Sequence, residues 1–259
     1  TPSEIDFANN LNEIIRIQEE PFGSPSVFMQ YKVFQKAKEA GCIVMLDGQG
    51  GDETLLGYER YYPAYLLSLK KMEMITNFFA SSRNSRLNAI ELLSYMIYFT
   101  SPRIRINRLR SRFNFIDKKS FNLINKGIIT SSSKSYKNIT DLQILELMVV
   151  QLPHLLKYED RNSMAHSIES RLPFIDYRLV ETALSISNSY KIKNGWTKYL
   201  LRKSVENILP AEVTWRKDKL GFNAPEALWL SHLKKQMSSQ IEKSGIINSI
   251  SDSKLIARK

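Results

Sequence analysis

The sequence predicts an α/β fold in which a short parallel sheet gives way to a large, mostly helical region. Three observations predict it. A helical pattern stops at Gly41 and runs into an apolar stretch, Ile43–Leu46, too short for a helix. That stretch opens onto a glycine-rich turn, Asp47-Gly48-Gln49-Gly50-Gly51, with a second helix start at Asp52 and Glu53. Beyond Tyr58 the strand signals fade and apolar residues recur at helical spacing.

Glu4–Ile17 carries apolar residues near helical spacing and reads as the first helix. Ser24–Ala40 reads as the second, with Ser24 as its N-cap, Pro25 at its first position and Gly41 as its stop. Cys42–Leu46 then forms a strand, expected to be buried because it is apolar throughout. Helix followed by strand is half of a βαβ unit, which points to parallel pairing. Tyr61–Ser81 and Leu87–Thr100 read as amphipathic helices, and Ser131–Lys137 as a polar loop. Asp141–Leu156 is a helix that Pro153 should kink or end. Asp176–Ser187, Lys198–Ile208 and Pro225–Lys243 are further helices, and Ser244–Lys259 is a polar end expected to fray. No internal repeat is visible. Residues 1–60 therefore hold the sheet and 61–259 the helical region.

At 259 residues with 43% apolar content, the chain can bury a substantial core. Its single cysteine, Cys42, excludes an internal disulfide and suits a reducing, cytoplasmic compartment. No apolar run approaches the ~18 residues of a membrane span, so no membrane partner is expected. The net charge of +11 raises nucleic acid as a partner. The densest basic cluster, Arg103–Arg112, is followed by Lys118 and Lys119 and reads as a solvated helical face. No zinc-finger, RRM or helix-turn-helix pattern accompanies it, so nucleic acid is not the expected partner. A non-catalytic basic binding module is the alternative from that class. A basic surface also attracts ATP and carboxylate substrates.

A strand, a glycine-rich turn and a helix N-terminus form a common place to hold phosphate, because free N–H groups point at the ligand. The acidic pair Asp52 and Glu53 suits Mg²⁺ on such a phosphate. An ordinary turn with an acidic helix cap accounts for the same residues. The segment is neither a Walker loop nor the dinucleotide fingerprint. The histidines His154, His166 and His232 show no zinc spacing, and no serine has a nucleophile-elbow context.

The stretch Ile43–Tyr58, IVMLDGQGGDETLLGY, resembles the Ser-Gly-Glu-Gly-x-Asp-Glu-x-x-x-Gly-Tyr motif of asparagine synthetases. Two later segments agree in order. Glu159–Asp176, EDRNSMAHSIESRLPFID, is similar to the family's Asp-Arg-x-Ser-Met-Ala…Glu-x-Arg-x-Pro-Phe-x-Asp signature. Arg216–Pro225, RKDKLGFNAP, is similar to its late Arg-x-x-Lys-x-Gly-Phe…Pro loop. Upstream, Glu20–Ser26 is similar to the family's Asp/Glu-Pro-Phe-x-x-Pro-Ser segment, so the likeness runs from Glu20 to about Trp229. The resemblance implies an adenine nucleotide alpha-hydrolase-like (PP-loop ATP pyrophosphatase) sheet, here truncated. The family's glutaminase domain and its Ser-Gly-Gly-x-Asp-Ser pyrophosphate loop have no counterpart in these residues. The chain is therefore expected to be the C-terminal part of a longer enzyme, with an open apolar sheet edge and weak stability or self-association.

The resemblance also implies roles. Asp52, with Glu53 less firmly, holds Mg²⁺ on ATP's phosphates. Asp47, Gly48, Gly50 and Gly51 meet ATP largely through backbone, with Asp47 in place of the family's usual serine. Lys219 contacts the phosphates during adenylation, with Lys217 and Arg216 as neighbours. Gln49 stands where the motif commonly has glutamate. It keeps hydrogen bonding but cannot act as a base, and is expected to position substrate. Glu159 or Asp160, beside Tyr158, lines the aspartate or nucleophile pocket. Glu169, Arg171 and Asp176 read as structural ion pairs that fix the Pro173-Phe174 turn, and Ser163 as an N-cap. The implied reaction amidates aspartate with ATP and with ammonia from glutamine, and a homodimer is compatible with it. The alternatives on the same scaffold are amidation of another carboxylate, as in surface-polysaccharide synthesis, or β-lactam closure.

Overall fold

A computed structural model describes residues 2–218, 224–252 and 256. Helix α1 (Glu4–Gln18) opens with a capping box: the Ser3 hydroxyl accepts from the Asp6 N–H, and the Asp6 carboxylate accepts from the Ser3 N–H. Helix α2 (Ser26–Glu39) starts a residue later than predicted, because Pro25 takes the cap position. Ser24 still serves the helix start, its Oγ accepting the Ser26 N–H at 3.0 Å. Gly41, at φ +80°, supplies the left-handed residue that ends the helix and turns the chain toward the strand.

Strand β1 (Val44–Leu46) pairs in parallel with β2 (Glu169–Arg171), in the register Val44–Glu169, Met45–Ser170, Leu46–Arg171. The predicted parallel pairing is there, but its partner comes from the region expected to be helical. The strand is also not buried: Ile43 is 72% and Leu46 73% exposed. With one neighbouring strand among the described residues and helix α11 packed behind it, a two-stranded sheet leaves its other face in water.

Helix α3 (Gly51–Thr54) follows the glycine turn. The single helix predicted over Tyr61–Ser81 is two, α4 (Tyr62–Leu67) and α5 (Lys71–Asn84), broken where Lys70 is extended. Next come α6 (Ala89–Thr100) and α7 (Pro102–Arg112); α7 buries no residue, in keeping with a solvated basic face. Helices α8 (Lys118–Leu123) and α9 (Lys126–Ser135) follow, and α9 takes up most of Ser131–Lys137, expected as a polar loop. Ser132 and Ser133 point inward and accept from Arg105 Nη1 at 3.1 and 3.0 Å, which makes a serine-rich segment tolerable against the core.

Helix α10 (Ile139–Leu145) and helix α11 (Leu152–Ala165) are joined by a π turn at Glu146–Val150. Pro153 lies in the first turn of α11, where a missing N–H costs nothing. The predicted kink is thus a π turn ahead of the proline. Because α11 starts at Leu152, Ser163 is buried near its end and donates to Asp160 O; it is not an N-cap. Taken together, Ile139–Ala165 is a helical stretch long and apolar enough by composition to cross a membrane, which no single apolar run suggested. It packs against α1, α2 and β2 and buries Glu146 and Glu159, as the core helix of a folded domain does.

The remaining helices are α12 (Tyr177–Ser185), α13 (Asn188–Lys191), α14 (Tyr199–Val205), α15 (Ala211–Thr214), α16 (Glu226–Lys243) and α17 (Gly245–Ile250), the last lying where fraying was expected. One core gathers Tyr61, Tyr62, Leu66, Leu92 and Leu142 around α4 and α6. A second gathers Phe7, Ile14 and Phe28 under Trp229 of α16, whose ring stacks on Phe7 at 5.7 Å. Each such side chain contributes about 1.5–3 kcal/mol by leaving water.

Candidate active site

The glycine turn is built by packing as much as by any ligand. Gly50 has φ +86°, and a Cβ there would lie 2.3 Å from Ile175 Cγ2. A Cβ on Gly51 would meet the Phe174 ring at 3.2 Å. Thr54 Oγ1 donates to Phe174 O at 3.0 Å, so α3 is fastened to the Pro173–Ile175 turn. The ion pairs expected to fix that turn exist, Glu169–Arg171 at 2.9 Å and Asp176–Arg178 at 2.8 Å, but both are exposed. The turn is held instead from the glycine side. Gly48 has open space where a Cβ would be, leaving its backbone approachable.

Asp52 and Glu53 are adjacent in sequence and point to different places. Asp52 lines a cleft of about 520 Å³, where its Oδ1 meets Lys198 Nζ at 2.9 Å. Glu53 is 1% exposed; its Oε1 accepts from the Tyr58 hydroxyl at 2.7 Å, and its Oε2 is buried with no hydrogen-bond partner among the described residues. Glu53 therefore faces the interior as α3's anchor, since an α-helix turns each successive side chain by ~100°. The described residues contain no group of three or more His, Cys, Asp or Glu able to hold a metal. Asp52 lines the cleft together with Glu59 and Asp218, and fits a Mg²⁺ held mainly by nucleotide phosphate and water, not a protein cage.

Lys198 is the residue that sequence reasoning passed over. It sits at φ +51°, a left-handed conformation a lysine rarely adopts, as the residue before α14. The turn ahead of it is tied down: the Tyr62 hydroxyl donates to Gly195 O at 2.6 Å, and Arg202 Nε donates to Thr197 O at 2.8 Å. A cation at a helix N-terminus opposes the helix dipole, and that mismatch was the available signal. Arg86, Arg202, Arg216 and Lys217 also line the cleft, so its walls suit a polyanion. Lys217 Nζ donates to Arg83 O at 2.6 Å. Lys219 lies outside the described residues.

Glu159 of α11 is 2% exposed and is not among the residues that line the cleft. Ser170 Oγ donates to its Oε1 at 2.5 Å and Gln30 Nε2 donates to its Oε2. Burial pushes its carboxyl up to about 7; the Ser170 hydrogen bond opposes this, and the neighbouring Asp47 adds to it. Glu159, expected to line the aspartate or nucleophile pocket, does not line the Asp52 cleft. Asp47 caps the turn, its Oδ1 accepting the Gln49 N–H at 3.1 Å. Beneath α3, Gln143 Nε2 donates to Thr54 O at 2.7 Å, and its Oε1 accepts from the buried Lys191, whose ammonium burial lowers to about 8.

Residues 2–258 match the family model described as Asparagine synthase. The chain is 31% identical over 242 residues to "Asparagine synthetase [glutamine-hydrolyzing] 1" of Bacillus subtilis (strain 168), covering 88% of this chain and 38% of that protein. It is 33% identical over 95 residues to "Asparagine synthetase [glutamine-hydrolyzing]" of Homo sapiens, covering 34% of this chain and 17% of that protein. A 26% identical match over 239 residues is the "Putative asparagine synthetase [glutamine-hydrolyzing]" of Mycobacterium tuberculosis (strain CDC 1551 / Oshkosh), covering 87% of this chain and 36% of that protein. The chain thus spans well under half the length of these relatives. No solved structure matches it.

Proposed function

The chain belongs to the asparagine synthase family, and we propose that, within its whole protein, it carries the ATP-dependent amidation of aspartate to asparagine. ATP activates the side-chain carboxylate as β-aspartyl-AMP and pyrophosphate leaves. Ammonia from glutamine then attacks the acyl carbon, releasing asparagine and AMP. A carboxylate is a poor electrophile, and adenylation gives it a good leaving group. The protein's share is positioning, charge neutralisation and exclusion of water. Glutamine hydrolysis belongs to a separate domain of the protein, and the sheet to the PP-loop class.

The observation that carries this reading is the Asp52–Lys198 pair in a cleft walled by arginines and lysines. Lys198, with Lys219, neutralises charge developing on pyrophosphate. Mg²⁺, held through Asp52, supplies further charge neutralisation on the phosphates. Gln49 orients substrate through its amide without taking a proton. The compartment is the cytoplasm.

The test incubates the full-length protein with ATP, Mg²⁺, aspartate and glutamine and resolves products by mass spectrometry. AMP, pyrophosphate and asparagine together support the reading. No AMP with aspartate, but AMP with another carboxylate, moves the function to a sibling amidation on the same scaffold. Gln49 in place of glutamate favours that second reading.

A further inference from the structure

We propose that Gln143, oriented by the buried Lys191, caps the C-terminal end of α3 and so seats the Asp52–Lys198 pair in the cleft. Both are positioning residues, acting through the backbone from Glu53 to Gly57; their link to nucleotide rests on the synthetase reading above.

The end of α3 needs outside donors, because the last carbonyls of a helix have no partner within it. The chain leaves α3 through Leu56 at φ +54°, a left-handed conformation that leucine rarely adopts. The Gly57 N–H turns back to Asp52 O at 2.7 Å. The next two carbonyls are met by one side chain: Gln143 Nε2 of α10 donates to Thr54 O at 2.7 Å and to Glu53 O at 3.3 Å. Gln143 and Thr54 are both fully buried, so bulk water cannot serve in its place.

Lys191 decides which way that amide faces. Turned over, the amide would aim Oε1 at two carbonyl oxygens, acceptor against acceptor. Lys191, the last residue of α13, is 1% exposed, and its Nζ donates to Gln143 Oε1 at 2.7 Å. An ammonium only donates, so it admits the amide in one orientation. The same Nζ donates to Ala183 O of α12 at 2.7 Å, which anchors the strut to a second helix. Charge on the donor also strengthens these bonds.

The cap reaches the cleft through Gly57. A Cβ on Gly57 would overlap both Asp52 Oδ1 and Lys198 Cε, so the Gly57 backbone is the surface on which that pair rests. Only Leu55 and Leu56 separate it from the capped Thr54 carbonyl. Release of that carbonyl therefore lets the chain after α3 shift and moves carboxylate and ammonium together.

Gln143→Glu in the full-length protein separates positioning from general stability. The replacement keeps the volume and gives Lys191 a carboxylate, but takes the donor from Thr54 O and Glu53 O. Amide hydrogen exchange of the peptide covering residues 52–58 is expected to quicken about tenfold or more, with the peptides of α1 and α16 unchanged. The Kd for Mg·ATP, measured by calorimetry without any acceptor carboxylate, is expected to rise about tenfold. Lys191→Met, which leaves the amide unoriented, is expected to move both in the same direction. With synthetase activity in hand, KM for ATP should rise about tenfold while KM for the carboxylate stays within about twofold. Unchanged exchange at residues 52–58 in Gln143→Glu overturns the cap. Exchange that quickens equally in every peptide marks general loosening and overturns it too. Quickened exchange at residues 52–58 with unchanged Mg·ATP affinity overturns the seating of the pair, as does a KM that rises equally for ATP and carboxylate. If exchange and Mg·ATP affinity follow expectation and no carboxylate yields AMP, the synthetase reading fails and the cap stands.

Discussion

Replacing Gly50 by alanine separates packing from ligand binding in the glycine turn. Gly50 sits at φ +86°, where an L-residue loses about 1–2 kcal/mol. The added Cβ would stand 2.3 Å from Ile175 Cγ2, and forcing such a contact apart costs about 1–3 kcal/mol more. The expected destabilisation is therefore about 2–5 kcal/mol. The second part alone is relieved by Ile175→Ala, because the nearest remaining Ile175 atom, Cβ, would be at 3.7 Å, an ordinary contact. Urea unfolding of the wild type, the two single variants and the double variant forms a thermodynamic cycle. The double variant should be more stable than the sum of the singles predicts by about 1–3 kcal/mol. Additivity to within about 0.5 kcal/mol would refute the steric account. If the double variant regains stability but not ATP binding, the glycine also serves approach of the nucleotide.

Arg60→Met leaves Glu146 buried without its 2.7 Å partner and should cost about 3–5 kcal/mol in chemical denaturation; a loss under about 1 kcal/mol would show the pair to be dispensable. Lys198→Met in the full-length protein should lower kcat/KM for ATP by about 100-fold, and unchanged ATP kinetics would remove Lys198 from the phosphate site. Leu46→Lys should shift this 259-residue chain toward monomer in sedimentation, since the replaced side chain is 73% exposed on the open face of the strand. No change in association would place the sticky surface elsewhere.

What the sequence made legible was local. Gly41 stopped a helix and Asp47–Gly51 made a turn after a strand, each because one residue type dictates a backbone conformation. What it hid was set at a distance. Strand β2 is Glu-Ser-Arg, with no apolar alternation to betray it, and becomes a strand only because β1 is there to pair with. Helix α9 looked like a loop because Ser132 and Ser133 are poor helix formers, and Arg105 from α7 satisfies them. Asp52 and Glu53 looked like one acidic pair, and helix rotation sent one to the cleft and the other to Tyr58. The role of Lys198 depends on a left-handed backbone and on a carboxylate far away in the chain.

The tie between Thr54 and Phe174 spans 120 positions, and β1 and β2 are separated by a similar length. During synthesis at about 5–20 residues per second, the glycine turn leaves the ribosome roughly 6–24 seconds before the segment that shapes it. For that interval Ile43–Leu46 is an unpaired apolar strand on a nascent chain. Chaperone dependence should therefore track the emergence of residues 169–175, and a translational pause just ahead of them would lengthen the exposure.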